Sequence, residues 1–225
     1  PLLEVPASTP ERDAVLAALN GVLGDHLEET GSPLALPMEL RCEGRPLLPG
    51  ADALRRDVPG ARGRLLVLVH GLCMNERAWD RTDGVNPAPF GSLAGELGAT
   101  GLRLRFNSGL HVSTNGRRMA ELLEALVTAW PLPVEALSIV AHSMGGLLAR
   151  SAGHYGAAAG HSWLRRLRDL VFLGTPHHGA PLERIGNLSQ LVLGATPWSA
   201  PFARLGKIRS AGITDLRHGN LLDED

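Results

Sequence analysis

The stretch Leu137-Ser138-Ile139-Val140-Ala141-His142-Ser143-Met144-Gly145-Gly146-Leu147-Leu148-Ala149-Arg150 constrains this chain more than any other. An apolar run of strand type stops at Ser143, and a helix-forming Leu-Leu-Ala-Arg segment begins after two glycines. A strand that turns directly into a helix forces the connecting residue to positive φ, which costs a residue other than glycine about 1–3 kcal/mol. Such a turn also crowds together the residues two before and two after the serine, so both must be small. They are Ala141 and Gly145. The bend lifts the Ser143 hydroxyl clear of the sheet at a helix N-terminus and aims the Met144 N–H where an oxyanion would form. A bare A-x-S-x-G in a chain rich in Ala and Gly carries little weight. The strand before it and the helix after it supply the weight.

In that placement the segment resembles the nucleophile turn of the α/β hydrolases, most of all the bacterial lipases and the lipase-like hydrolases grouped with the GPI inositol-deacylase. A second motif agrees. Leu65-Leu66-Val67-Leu68-Val69 is a continuous apolar run, the mark of a strand buried on both faces of a parallel sheet, and it ends in His70-Gly71-Leu72. The resemblance implies that the Leu72 N–H is the second oxyanion donor and that Gly71 lets the loop backbone approach the site. His70 precedes the serine along the chain and reads as a loop-shaping residue, as does His142 beside the nucleophile, with Gly145 shaping the bend. The strand from Asp169 to Leu173 runs into Gly174-Thr175-Pro176-His177-His178-Gly179, an ending also usual in the lipase-like hydrolases. His177 and His178 read as loop packing, since a metal site would need further ligands. Cys73 and Met74 are expected at the pocket mouth.

Composition narrows the classes. At 225 residues the chain suits one domain with one sizeable core, and 44% apolar with 20% charged residues is a globular balance. A formal net charge of -1 speaks against a nucleic-acid surface or a polybasic membrane patch. Two isolated cysteines, Cys42 and Cys73, make neither a disulfide framework nor a metal cluster, and free buried thiols are expected. No metal or cofactor is indicated. No apolar run approaches the ~18 residues of a membrane span. Pro1-Leu2-Leu3-Glu4 shows no signal peptide, which favours the cytoplasm unless a leader was removed before Pro1. A single lysine, Lys207, among so many arginines, with abundant Ala, Gly and Leu, suggests a bacterial source.

The rest of the chain supplies a scaffold. Thr9 caps a helix expected over 10–29, with Pro10 at its first position. Alternation through Leu36, Met38 and Leu40 predicts a strand, with a turn at Glu43-Gly44 into a second strand through Leu47 and Leu48. Residues 49–63 read as connector. A short helix over 90–97, a strand over 102–106 and a helix capped by Asn115 with an apolar stripe from Met119 to Trp130 follow. The serine's helix should run to about Tyr155. From Ala180 the apolar residues are broken by Gly and Pro, and a lid over the site or an ordinary packed helix fits equally well. The expected fold is α/β: a mainly parallel sheet with an N-terminal antiparallel hairpin, one α/β-hydrolase domain over 1–225. Its parts are 1–63 (helix and hairpin), 64–179 (core) and 180–225 (lid-like).

A serine hydroxyl is a poor nucleophile without a histidine base and a carboxylate to orient it. In the family the order is serine, acid, histidine, with the last two on loops after later strands. After Ser143 the histidines are His154, His161, His177, His178 and His218, and none follows a predicted strand at that place. Asp169 begins a strand at the wrong edge. Asp215 and His218, three apart in what reads as a polar loop, fit the roles poorly. The resemblance therefore implies that the acid and histidine lie beyond Asp225, with the C-terminal strands, in a protein of roughly 300 residues or more. The expected function is a serine hydrolase cleaving carboxylic esters, acyl lipids above all, through an acyl-enzyme on Ser143. Its partners would be an ester or lipid substrate and, through 180–210, a transient lipid surface. The alternatives are a non-catalytic scaffold that binds a lipid or a partner, and an acyltransferase or thioesterase using the same parts.

Overall fold

The computed structural model describes residues 9–48, 50–80, 90, 92–179 and 210–223. In chain order the elements are α1 (Pro10–Glu29), β1 (Glu39–Cys42), β2 (Arg45–Pro46), α2 (Ala51–Asp57), β3 (Arg64–Val69), α3 (Leu93–Glu96), β4 (Thr100–Arg105), α4 (Val112–Ala129), β5 (Ala136–His142), α5 (Met144–Ala158), β6 (Leu167–Leu173) and α6 (Ala211–His218). Short 3-10 turns occupy Glu76–Asp80 and Ser162–Arg165. None of the described helices is long and apolar enough to cross a membrane.

The strands form one sheet in the order β2-β1-β4-β3-β5-β6. β1 pairs antiparallel with β2 and β4, while β3–β4, β3–β5 and β5–β6 are parallel. This is the mainly parallel α/β sheet with an N-terminal hairpin that the apolar runs imply. Alternate residues of β3 serve the two faces. Leu65, Val67 and Val69 join the large core under α4 and α5, and Leu66 and Leu68 join a smaller one with Trp79 and Val140. Both faces of the strand are therefore buried, which is why its sequence does not alternate.

After β3 the chain crosses to β4 on one side, then returns to place β5 on the other. Neighbouring parallel strands whose outgoing connections diverge make a topological switch point. Ligands of open α/β sheets bind outside the carboxyl ends of the strands at that point. Here it lies between the ends of β3 and β5, at Gly71 and Ser143.

Several local expectations shift. The segment 49–63 contains helix α2, with Leu54 fully buried on it. α4 starts at Val112, so Asn115 lies inside the helix, where its Nδ2 donates to the Asn107 carbonyl at 2.8 Å. The second hairpin strand is Arg45–Pro46, ahead of Leu47 and Leu48. Asp215 stands in α6 and not in a loop. β6 is the last strand of the sheet among the described residues. Most of the lid-like segment, 180–209, lies outside the described residues.

Candidate active site

Ser143 connects β5 to α5 with φ 54° and ψ -125°. Its N–H donates to the Leu173 carbonyl at 2.8 Å, tying the bend to β6, and its own carbonyl accepts from the Gly146 N–H at 3.0 Å. A serine before a helix ordinarily turns its hydroxyl back to cap the first turn. Here the backbone carbonyl meets Gly146 instead and the side chain makes no capping hydrogen bond. The hydroxyl, on a residue 9% exposed, is left for other chemistry. Met144 is the first residue of α5, so the helix itself provides no acceptor for its N–H.

The bend depends on Gly145. A Cβ there would lie 2.4 Å from the His70 carbonyl oxygen and 2.8 Å from that of Val69, so α5 can start this close to β3 only without a side chain. Gly71 has the same function from the opposite loop. Its Cβ would lie 3.1 Å from the Ser143 Cβ and 3.2 Å from His142 Nδ1. The backbone leading to the Leu72 N–H therefore runs directly against Ser143. The side chains of Leu72 and Met144 are buried in one apolar cluster with Cys73, Val112, Leu147 and Leu216, which holds both backbones in place.

His70 is buried and stacks on Phe106 at 4.3 Å between ring centres. Its Nδ1 lies 2.9 Å from the Gly71 carbonyl oxygen, which can only accept, so Nδ1 carries the proton. Burial pushes its pKa down to about 4. His70 is thus a neutral, locked ring shaping the loop, with its basic nitrogen Nε2 enclosed and without a hydrogen-bond partner among the described residues. His142 is half-buried, and burial lowers its pKa as well. Cys42 and Cys73 are free thiols. Burial pushes Cys73 up to about 12, which leaves it protonated and inert. It lines the loop's interior and not a pocket mouth.

Among the described residues no histidine hydrogen-bonds to the Ser143 hydroxyl. Asp215 does not pair with His218. Its Oδ2 accepts from the Val112 N–H at 2.8 Å and lies 3.1 Å from His111 Nδ1. Asp215 caps α4 from a hundred residues away, a contact that local sequence does not announce, while His111 stays 60% exposed. Asp215→Ala should therefore lower stability by about 1–3 kcal/mol through loss of a buried charged acceptor, and His111→Ala by under about 0.5 kcal/mol. Urea denaturation checks both. Equal losses would give His111 a larger share than its exposure allows. Arg150 meets His177 Nδ1 at 3.1 Å, and His177 packs edge-on against Phe172, placing His177 in loop packing. Among the described residues no cluster of His, Cys, Asp and Glu is arranged to hold a metal ion.

Comparison with known proteins adds to this geometry. Residues 117–225, from within α4 onward, match the family model of the PGAP1-like alpha/beta domain. Over those residues the chain is similar to that family. The matched residues include the Ser143 bend and leave out the Leu72 loop. No curated protein matches the chain. Among solved structures, the Bacillus licheniformis lipase BlEst2 in its mature form is similar at 22% identity and a TM-score of 0.46, over 68% of this chain and 54% of the lipase. The propeptide form gives 21% identity and a TM-score of 0.46, over 68% of this chain and 30% of that one. The chain thus spans about half or less of the length of these lipases.

Proposed function

We propose that the chain carries the nucleophile and oxyanion hole of a serine carboxylic-ester hydrolase acting on acyl lipids or other apolar esters. One observation carries the reading. Ser143 stands at positive φ with an uncommitted hydroxyl, at the sheet's switch point, and Gly71 brings the Leu72 backbone against it. In this mechanism Ser143 Oγ attacks the ester carbonyl as a histidine takes its proton. The carbonyl oxygen becomes an oxyanion and accepts from the Leu72 and Met144 N–H groups, at about 2.7–4 kcal/mol per donor in the transition state. The C–O bond then breaks, and the alcohol leaves with the proton returned by the histidine. Water hydrolyses the acyl-enzyme by the reverse sequence. The histidine and its carboxylate are proposed to come from outside the described residues. The preference for apolar acyl chains rests on the run of Leu191, Val192, Leu193, Trp198 and Phe202, proposed to meet lipid as well as substrate.

The test is covalent. The intact protein is treated with a fluorophosphonate probe, digested and mapped by mass spectrometry. The expected adduct is on Ser143, and p-nitrophenyl butyrate turnover should fall in proportion to labelling. A protein that resists the probe yet binds lipid would be a non-catalytic scaffold, and the hydrolase reading would be lost.

A further inference from the structure

The loop that carries Leu72 is a tight turn. The Met74 N–H donates to the Gly71 carbonyl at 3.3 Å, so Gly71 to Met74 form a four-residue turn with Leu72 and Cys73 at its centre. Cys73 has φ 57°. A positive φ at the third position is the mark of a type II turn, which favours glycine or asparagine there. A cysteine is strained in that place. The type I alternative, reached by flipping the peptide between Leu72 and Cys73, would suit cysteine better.

One contact opposes the flip. The Cys73 N–H, which belongs to that same peptide, donates to Ser108 Oγ at 3.0 Å, and both residues are buried. A flip would turn this N–H away from its acceptor and leave it without a partner in the core. Ser108 itself stands in a loop held from several sides. Asn107 Nδ2 donates to the Gly24 carbonyl at 2.9 Å, the Gly109 N–H to Asn107 Oδ1 at 3.0 Å, and the Gly212 N–H to the Gly109 carbonyl at 3.0 Å. Helix α1 closes the far side, with Gly21 so near that a Cβ there would lie 2.2 Å from Cys73 Sγ.

We infer that Ser108 is a positioning residue for the oxyanion hole, selecting the strained turn that directs the Leu72 N–H toward Ser143. This rests on the hydrolase reading above for its consequence, and on the turn geometry alone for its structural part. The Leu72 N–H belongs to the peptide next to the one Ser108 holds, so relaxation of the turn displaces the donor. A displacement of about 1 Å can lower a rate on the order of 100-fold.

Ser108→Ala in the intact protein should lower kcat for p-nitrophenyl butyrate about 10–100-fold with KM changed less than about threefold, because the oxyanion exists only in the transition state. Adding Cys73→Gly should restore most of the loss, since glycine accepts positive φ without strain and holds the turn unaided. A purely structural serine would show no such rescue. A second readout needs no turnover. Exchange of the Cys73 amide proton should be at least about tenfold faster in Ser108→Ala, by the loss of its buried acceptor. An unchanged kcat, or a loss in kcat that Cys73→Gly fails to restore, overturns the catalytic part. Equal amide protection overturns the whole inference, whether or not the wild type hydrolyses esters. A wild type inactive on esters with a deprotected Cys73 amide in the variant would sink the hydrolase reading and leave the turn assignment standing.

Discussion

Ser143→Ala is expected to lower kcat for p-nitrophenyl esters on the order of 10⁶-fold, the scale of removing the nucleophile from a serine hydrolase whose groups act as a unit. Ser143→Gly should be just as inactive, and the comparison of the two separates chemistry from strain. At φ 54° both serine and alanine are held in a region that costs about 1–3 kcal/mol, whereas glycine is at ease there. Against that gain stands glycine's larger entropy in the unfolded chain, about 0.5–1 kcal/mol. The net expectation is that Ser143→Gly is more stable than Ser143→Ala by roughly 1 kcal/mol, a rise in Tm of about 2–4 °C for a domain of this size. Activity assays and thermal melts of the intact protein read both effects. Turnover above about one part in a hundred in Ser143→Ala would end the case for this nucleophile, and a glycine variant that melts lower would show that the bend is not strained.

The site was legible where chemistry and backbone are written in consecutive residues. The β5–Ser143–α5 passage, the run from Leu65 to Val69 and the limits of α1, down to Thr9 accepting from the Arg12 N–H, follow from local pattern. Strand order does not. The apolar run of Leu170 to Leu173 marks a strand but not that it pairs with β5, a neighbour set by the fold and not by periodicity. α4 starts ahead of Asn115 because its first acceptor is Asp215, a carboxylate distant in sequence that replaces a local cap. Nothing in the residues around Ser108 marks it, since its significance lies in the φ of Cys73 on another loop. Helix α2, seven residues long, is too short for periodicity to separate it from the connector around it.

Ion pairs that bridge distant elements leave the least trace in sequence, and one of them supports the largest stability prediction. Glu76, 3% exposed just past the Leu72 turn, accepts two hydrogen bonds from Arg105 on β4, at 2.8 and 2.6 Å, with Arg41 of β1 at 3.6 Å. Arg105 also reaches Asp13 of α1 at 3.3 Å, and Asp13 is bonded by Arg77 at 2.9 Å. The network thus ties α1, β1 and β4 to the exit of the Leu72 turn. Glu76→Gln removes the charge that compensates Arg105 and should cost about 3–5 kcal/mol, toward the lower end because Asp13 remains. Replacing both members of the pair, Glu76→Leu with Arg105→Met, should cost far less, since no uncompensated charge is left behind. The dependence on pH has a definite sign. Burial alone would raise the Glu76 pKa, but the hydrogen bonds and charge of Arg105, joined by Arg41, hold it below the ordinary carboxylate value. Its contribution is therefore complete above the unfolded-state value, about pH 4.3, and is lost as pH falls through the lower folded value. Urea denaturation between pH 7 and pH 3 should show wild type losing stability faster than Glu76→Gln over the acid part of that range. Parallel curves for the two proteins, or a cost under about 1 kcal/mol at pH 7, would mean that packing around the 3-10 turn and not this ion pair anchors the loop.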